Sequence, residues 1–159
     1  MARDYLIFDL DGTISDPAPG ILRSINFALS RYGYAEVDER RVAECIGPPI
    51  DEVFRELTRN ASRERIVALV ARYRARYADV GFSESELYTG VVRAVAGLAE
   101  SESPLAVCTS KRADFAERIL DMFGLRDCFR FVAGARSEWP RLISLRSFSR
   151  MGSSVPARS

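Results

Sequence analysis

No histidine occurs anywhere in the 159 residues. Its absence removes Ser-His-Asp and Cys-His nucleophilic schemes, and any zinc site built on imidazole. Lysine is nearly absent as well: of 23 basic residues only Lys111 is a lysine, and the rest are arginine. The two signs of charge almost cancel, leaving +1, so charge offers no reason to expect a nucleic acid or an anionic membrane surface as partner. Cysteines number three, Cys45, Cys108 and Cys128, far apart and without a C-x-x-C pair. They read as free buried thiols of a reducing compartment. No apolar run approaches the ~20 residues that a membrane-spanning helix needs. The first residues meet acids at once, unlike a signal peptide. A cytoplasmic location is therefore expected. The 47% apolar and 28% charged residues are those of a globular protein, long enough for one ordinary core or a core with a small insert.

The most informative stretch is Tyr5-Leu6-Ile7-Phe8-Asp9-Leu10-Asp11-Gly12-Thr13-Ile14. Residues 5–8 form an apolar run without alternation, which predicts a parallel strand covered on both faces. Asp9 and Asp11 follow at strand spacing and so project to one side, while Gly12 allows a sharp turn close to a ligand. Carboxylates at the C-terminal end of such a strand stand where open α/β sheets bind their ligands. The chemistry this suits is phosphoryl transfer, with Asp9 as nucleophile and Asp11 as proton donor and acceptor. Mg2+, held by Asp9 and Asp11, would let one anion approach another. A plain strand followed by an Asp-Gly turn accounts for the same four residues.

After a linker at residues 15–20, apolar stripes predict a helix bearing Ile21, Ile25, Ala28, Leu29 and Tyr32, closed by Gly33. A second helix, opened by Asp38, would bury Val42, Cys45 and Ile46 before the Gly47-Pro48-Pro49 break. Third and fourth helices carry Ile50, Val53, Phe54 and Leu57, then Ile66, Leu69, Val70, Tyr73 and Tyr77, the last opened by Ser62. Residues 20–79 thus read as an antiparallel helical bundle. From Val91 the pattern alternates: a helix with Val91, Val92, Val95 and Leu98, a strand at 104–109, a helix with Phe115, Ile119, Leu120 and Phe123 ending at Gly124, and a strand at 129–134. Such alternation predicts a doubly wound parallel sheet. Residues 1–15 and 90–135 would form the core, and residues 16–89 a helical insert. Residues 136–159, with seven Ser and five Arg, read as a poorly ordered tail.

Thr109-Ser110-Lys111 ends the second strand and is expected to open a helix, where hydroxyls, backbone N–H groups and one ammonium suit a phosphate. An ordinary helix cap with a solvated lysine is the plainer account.

The string F-D-L-D-G-T at residues 8–13 resembles the first motif of the haloacid dehalogenase-like hydrolase superfamily. Thr109, at the end of a hydrophobic strand about 100 residues later, resembles its second motif, and Lys111 resembles a lysine found two residues beyond. Asp16, the small helical cap and the Ile46-Gly47-Pro48-Pro49 break are similar to the phosphoglycolate phosphatase and beta-phosphoglucomutase-like branch. The resemblance implies an α/β, Rossmann-like core with a cap placed after its first strand. It further implies an Mg2+-dependent phosphomonoester hydrolase acting on a small phosphorylated metabolite through an aspartyl-phosphate at Asp9. Substrate contacts would come from Gly12, Thr109, Ser110 and Lys111. Arg23 and Asp16 read more simply as solvated or capping groups.

The departures from the family are equally specific. No lysine follows Lys111 to serve as the third motif, and Glu138 is the sole acid after Asp127, so the fourth motif has no match. The resemblance stops near residue 135, as a truncated or frame-shifted gene would, and leaves an incomplete core. Arg136 or Arg141 is a weak substitute for the missing lysine. Residues 5–8 would then lie at a bare sheet edge, favouring self-association. A catalytically weak or inactive remnant is the competing reading. A receiver-type signalling domain is disfavoured by the helical insert, and a mutase cannot be separated from a hydrolase by sequence.

Overall fold

The computed structural model of the chain describes residues 4–135. The expectations for residues 136–159, the poorly ordered tail and the stand-in arginines Arg136 and Arg141, fall outside that range. Three parallel strands, β1 (Leu6–Phe8), β4 (Leu105–Arg112) and β5 (Phe129–Ala135), lie in the order β1-β4-β5. A second, two-stranded antiparallel sheet joins β2 (Ser15–Asp16) to β3 (Glu86–Leu87). Five α-helices complete the elements: α1 (Ala18–Ser30), α2 (Ile50–Thr58), α3 (Arg63–Asp79), α4 (Val91–Ala99) and α5 (Ala113–Met122). The α/β class with a parallel sheet is the expected one. The β2–β3 pair was not foreseen, because two-residue strands carry no readable period.

Side chains fall into two apolar clusters. Leu105, Val107 and Phe129 of the sheet pack with Val95 of α4 and with Ala116, Ile119 and Leu120 of α5, closed by Leu10 and Ile14. Ile25, Ala28 and Leu29 of α1 pack with Val53 and Phe54 of α2 and with Ile66 and Leu69 of α3. The second cluster belongs wholly to the segment between β2 and β3. That pair ties together the two ends of the helical segment, Ser15 lying opposite Leu87 and Asp16 opposite Glu86.

Local sequence explains several helix ends. Gly33 (φ +73°) sets up paired bonds at the end of α1, its own N–H to Ser30 and that of Tyr34 to Leu29. Gly124 (φ +68°) does the same after α5, with bonds from Gly124 to Asp121 and Leu125 to Leu120. The Ser62 hydroxyl accepts from Arg65 N–H at 3.3 Å at the start of α3. Asp38 likewise accepts from Arg40 N–H at 2.9 Å, but the turn it opens, Glu39–Cys45, is 3-10 rather than α-helical. With Cys45 its only buried residue, that segment lacks the apolar stripe that would hold an α-helix.

Three expectations need correction. The first strand is not covered on both faces: Tyr5, Leu6 and Ile7 are 40%, 38% and 57% exposed. Among the described residues β1 pairs only with β4, through Leu6–Leu105, Ile7–Ala106 and Phe8–Val107, and its other edge is free. In α4, Val92 and Leu98 face solvent and only Val95 is buried. Finally, β4 continues to Arg112, three residues past Thr109. Pairing with β5 resumes at Arg112–Ala135 because Gly134 lies so close that a Cβ would meet the Lys111 carbonyl oxygen at 2.6 Å. The chain is thereby drawn out extended before α5 begins.

Candidate active site

The loop after β1 is built on one carbonyl. The Leu10 oxygen accepts the N–H groups of Thr13, Ile14 and Ser15, at 3.3, 2.9 and 3.0 Å, and Gly12 N–H returns to the Ser15 carbonyl at 2.8 Å. Gly12, at φ +83°, makes this reversal without strain. Leu10 and Ile14 are fully buried and pin the loop to the core from below. Asp9 and Asp11 flank Leu10 in this loop, just beyond the end of β1 at Phe8.

The two carboxylates have different surroundings. Asp9 is exposed, and its Oδ1 accepts the N–H of Leu10 at 2.8 Å. Asp11 is half-buried: Oδ2 lies 2.9 Å from the Lys111 ammonium, while Oδ1 is buried with no hydrogen-bond partner. Burial pushes the Asp11 carboxyl above its ordinary value, Lys111 opposes that, and the charges of Asp9 and Asp16 add to it. An open carboxylate beside one with raised proton affinity is the division of labour that a nucleophile and a proton carrier require.

Lys111 is not a solvated side chain. Only 8% of it is exposed, and besides Asp11 its ammonium reaches the Tyr77 hydroxyl at 2.7 Å. Its pKa is raised: burial acts to lower it, and Tyr77 and Asp11 outweigh that. Thr109 is buried, and its Oγ1 accepts the Lys111 N–H at 3.2 Å. Ser110 is exposed. None of these three stands at a helix N-terminus, since α5 starts at Ala113. The structure thus gathers Asp11, Thr109 and Lys111, whereas the anion cradle expected from a helix end at residues 109–111 is not formed there.

Other residues take structural places. Asp16 accepts the N–H of Ala18 at 2.9 Å and steadies the entry to α1. Arg23 is solvated, its side chain 58% exposed, and its guanidinium lies 3.3 Å from Glu84. Glu84 is gripped more tightly by Arg76, through both oxygens at 2.9 and 3.0 Å, and Arg76 also donates to Ser24 at 2.9 Å. Cys45, Cys108 and Cys128 are free. Burial first, and then the Asp9 charge, push the Cys108 thiol up. Sequence reasoning missed Tyr77, which appeared only as one position of an apolar stripe; nothing local marks its hydroxyl as functional.

For a metal, no group of three or more His, Cys, Asp or Glu side chains is gathered among the described residues. What is present is the open Asp9 carboxylate and the oxygens of Asp11. That oxygen-only set suits a hard divalent cation that keeps several waters, and it does not suit zinc.

The chain is 38% identical over 136 residues to the tyrosine-protein kinase PtkA of Mycobacterium tuberculosis, covering 86% of this chain and 46% of that protein. It is 35% identical over 136 residues to a 5'-nucleotidase of Pseudomonas aeruginosa, covering 86% and 61%. To the phosphoglycolate phosphatase of Yersinia pestis it is 34% identical over 131 residues, covering 80% and 56%. The chain therefore spans about half the length of the curated relatives it matches. Among solved structures, PtkA superimposes with a TM-score of 0.72 at 32% identity, covering 89% of this chain and 64% of that one. A haloacid dehalogenase-like family hydrolase from Streptococcus pneumoniae superimposes with a TM-score of 0.76 at 25% identity, covering 87% and 64%. The sequence model of the haloacid dehalogenase-like hydrolases matches residues 6–138, and the chain belongs to that family.

Proposed function

We propose that this protein is an Mg2+-dependent phosphomonoester hydrolase, similar to phosphoglycolate phosphatases, that works through an aspartyl-phosphate. The observation that carries the reading is the pairing at the end of β1: an exposed Asp9 next to an Asp11 whose carboxyl is raised by burial and engaged by Lys111. An Asp9 oxygen attacks phosphorus, the ester P–O bond breaks, and the departing oxygen takes a proton from Asp11. Water then attacks the same phosphorus while Asp11 takes its proton, and the bond to Asp9 breaks to free inorganic phosphate. Thr109, Ser110, Lys111 and the backbone at Gly12 contact the phosphate. Mg2+ would be held by the Asp9 carboxylate and the Asp11 main-chain carbonyl, leaving the Asp11 carboxyl to carry the proton, and would supply charge neutralisation between the two anions.

On this reading residues 1–15 and 90–135 are the catalytic core, and residues 16–89 a cap that shields the site. The two separate apolar clusters support the division. The substrate is a small phosphorylated metabolite met in the cytoplasm. The free edge of β1 and the exposed Ile7 support self-association of two copies through that edge.

A second reading, a weak or inactive member of the family, is favoured by one observation: among the described residues only two carboxylates are available to a cation. Phosphate release from an aryl phosphate, with and without Mg2+, separates the two. Metal-dependent turnover that vanishes in Asp9→Asn supports the hydrolase; soluble, folded protein without turnover supports the inactive form.

A further inference from the structure

Lys111 is the chain's single lysine, and two parts of the molecule compete for it. Its ammonium lies 2.9 Å from Asp11 Oδ2 on the loop after β1 and donates to Tyr77 Oη on α3 at 2.7 Å. An ammonium has three N–H donors, and these contacts use two. Tyr77 is itself buried, stacked on Tyr73 with ring centroids 5.7 Å apart and set edge-on to Phe115 at 5.3 Å. The Lys111 ammonium also lies 5.2 Å from the centre of the Tyr77 ring. Packing alone would be satisfied by phenylalanine, and a hydroxyl buried without a partner is costly. The oxygen of Tyr77 is explained by the ammonium it receives.

We propose that Tyr77 is a positioning residue for Lys111: its hydroxyl, carried in on the helical segment, clamps the ammonium against Asp11 and leaves the third N–H for a phosphate oxygen. The role in turnover rests on the hydrolase reading of the same site; the clamp itself does not. Lys111 then takes up its working place only when α3 is seated on the core, so the helical segment fixes the site's one ammonium without touching phosphate. Removing the hydroxyl leaves Lys111 with Asp11 alone, free to turn about that contact. Ground-state binding, shared with Thr109, changes little, and the rate falls.

Because there is one lysine, its side-chain ammonium gives one 1H–15N signal in uniformly labelled protein, identified without assignment. Tyr77→Phe, which keeps the ring contacts, is expected to shift that signal or broaden it beyond detection. Phe115→Leu, which thins the packing around the ring but keeps the hydroxyl, is expected to leave it in place. In turnover assays Tyr77→Phe should lower kcat about tenfold, with KM within about threefold of the parent. An ammonium signal identical in Tyr77→Phe and parent overturns the proposal, and so does an unchanged kcat in an active parent. If the parent hydrolyses no phosphate ester while its ammonium signal responds to Tyr77→Phe alone, the clamp stands and the hydrolase reading falls.

Discussion

At the scale of single residues, the site divides into what spacing announces and what folding alone assembles. Asp9 and Asp11 were legible from their place just after the first strand, although β1 ends at Phe8 and both lie in the loop beyond it, and Gly12 because the reversal needs φ +83°. Lys111 was legible as a charge but not as the partner of Asp11, since 100 residues separate them and only the β1–β4 register brings them together. Tyr77 was not legible as a site residue at all. The Asp11–Lys111 pair gives a direct expectation. Lys111→Met should leave the Asp11 carboxylate half-buried without its counter-charge, costing about 1–3 kcal/mol of stability in urea titrations at neutral pH. A variant as stable as the parent would show that Asp11 is better solvated than its buried, unpartnered Oδ1 indicates.

At the scale of elements, caps and stripes were read correctly where the chemistry is local, as with Gly33, Asp38, Ser62 and Gly124. Readings failed where a distant contact decides. Residues 110–112 remain extended because Gly134, in another strand, lets β5 approach. The closure of the helical segment upon itself, where its first helix meets the turn after α3, is likewise set by long-range packing. Gly20 and Gly81 press together so closely that a Cβ on Gly20 would overlap the Gly81 carbonyl. Gly20→Ala should therefore destabilise the protein by about 1–3 kcal/mol, measured by thermal or denaturant unfolding. The ion pairs of Glu84 with Arg76 and Arg23 brace the same closure within the helical segment. Hydrogen bonding to Arg76 holds the Glu84 carboxyl below its ordinary value. A carboxyl depressed in the folded state stabilises it fully above the unfolded pKa of about 4.3, and that contribution fades as pH falls through the folded value. Glu84→Gln should thus lower stability at pH 7 and flatten the loss of stability below about pH 4 relative to the parent. Parallel acid profiles for the two proteins would remove Glu84 from the account.

At the scale of the whole molecule, the sheet is lopsided. One face is packed by α4 and α5, while Tyr5, Ile7 and Phe131 belong to neither apolar cluster among the described residues. Tyr5 and Phe131 shelter each other, with ring centroids 5.4 Å apart, but Ile7 stays open. The alternation of strand and helix patterns after Val91 predicted the α/β class with its parallel sheet. The bare edge was legible only through what the family's pattern requires and this sequence does not supply. If two copies meet at β1, sedimentation velocity should show a concentration-dependent rise in mass that Ile7→Lys suppresses, as edge charges do in sheet proteins. A strictly monomeric parent at high concentration would exclude that contact. The family match spans residues 6–138 and so takes in both the sheet and the helical segment.

That chemistry has one covalent signature. Acid-quenching the protein during turnover of an aryl phosphate with Mg2+, followed by peptide mass analysis, would locate any phosphate retained on the chain. The account predicts a phosphorylated peptide containing Asp9, labile to base and hydroxylamine as an acyl phosphate is, and absent from Asp9→Asn. Turnover with phosphate on another residue, or with none retained under quench conditions that trap an acyl phosphate, would contradict it.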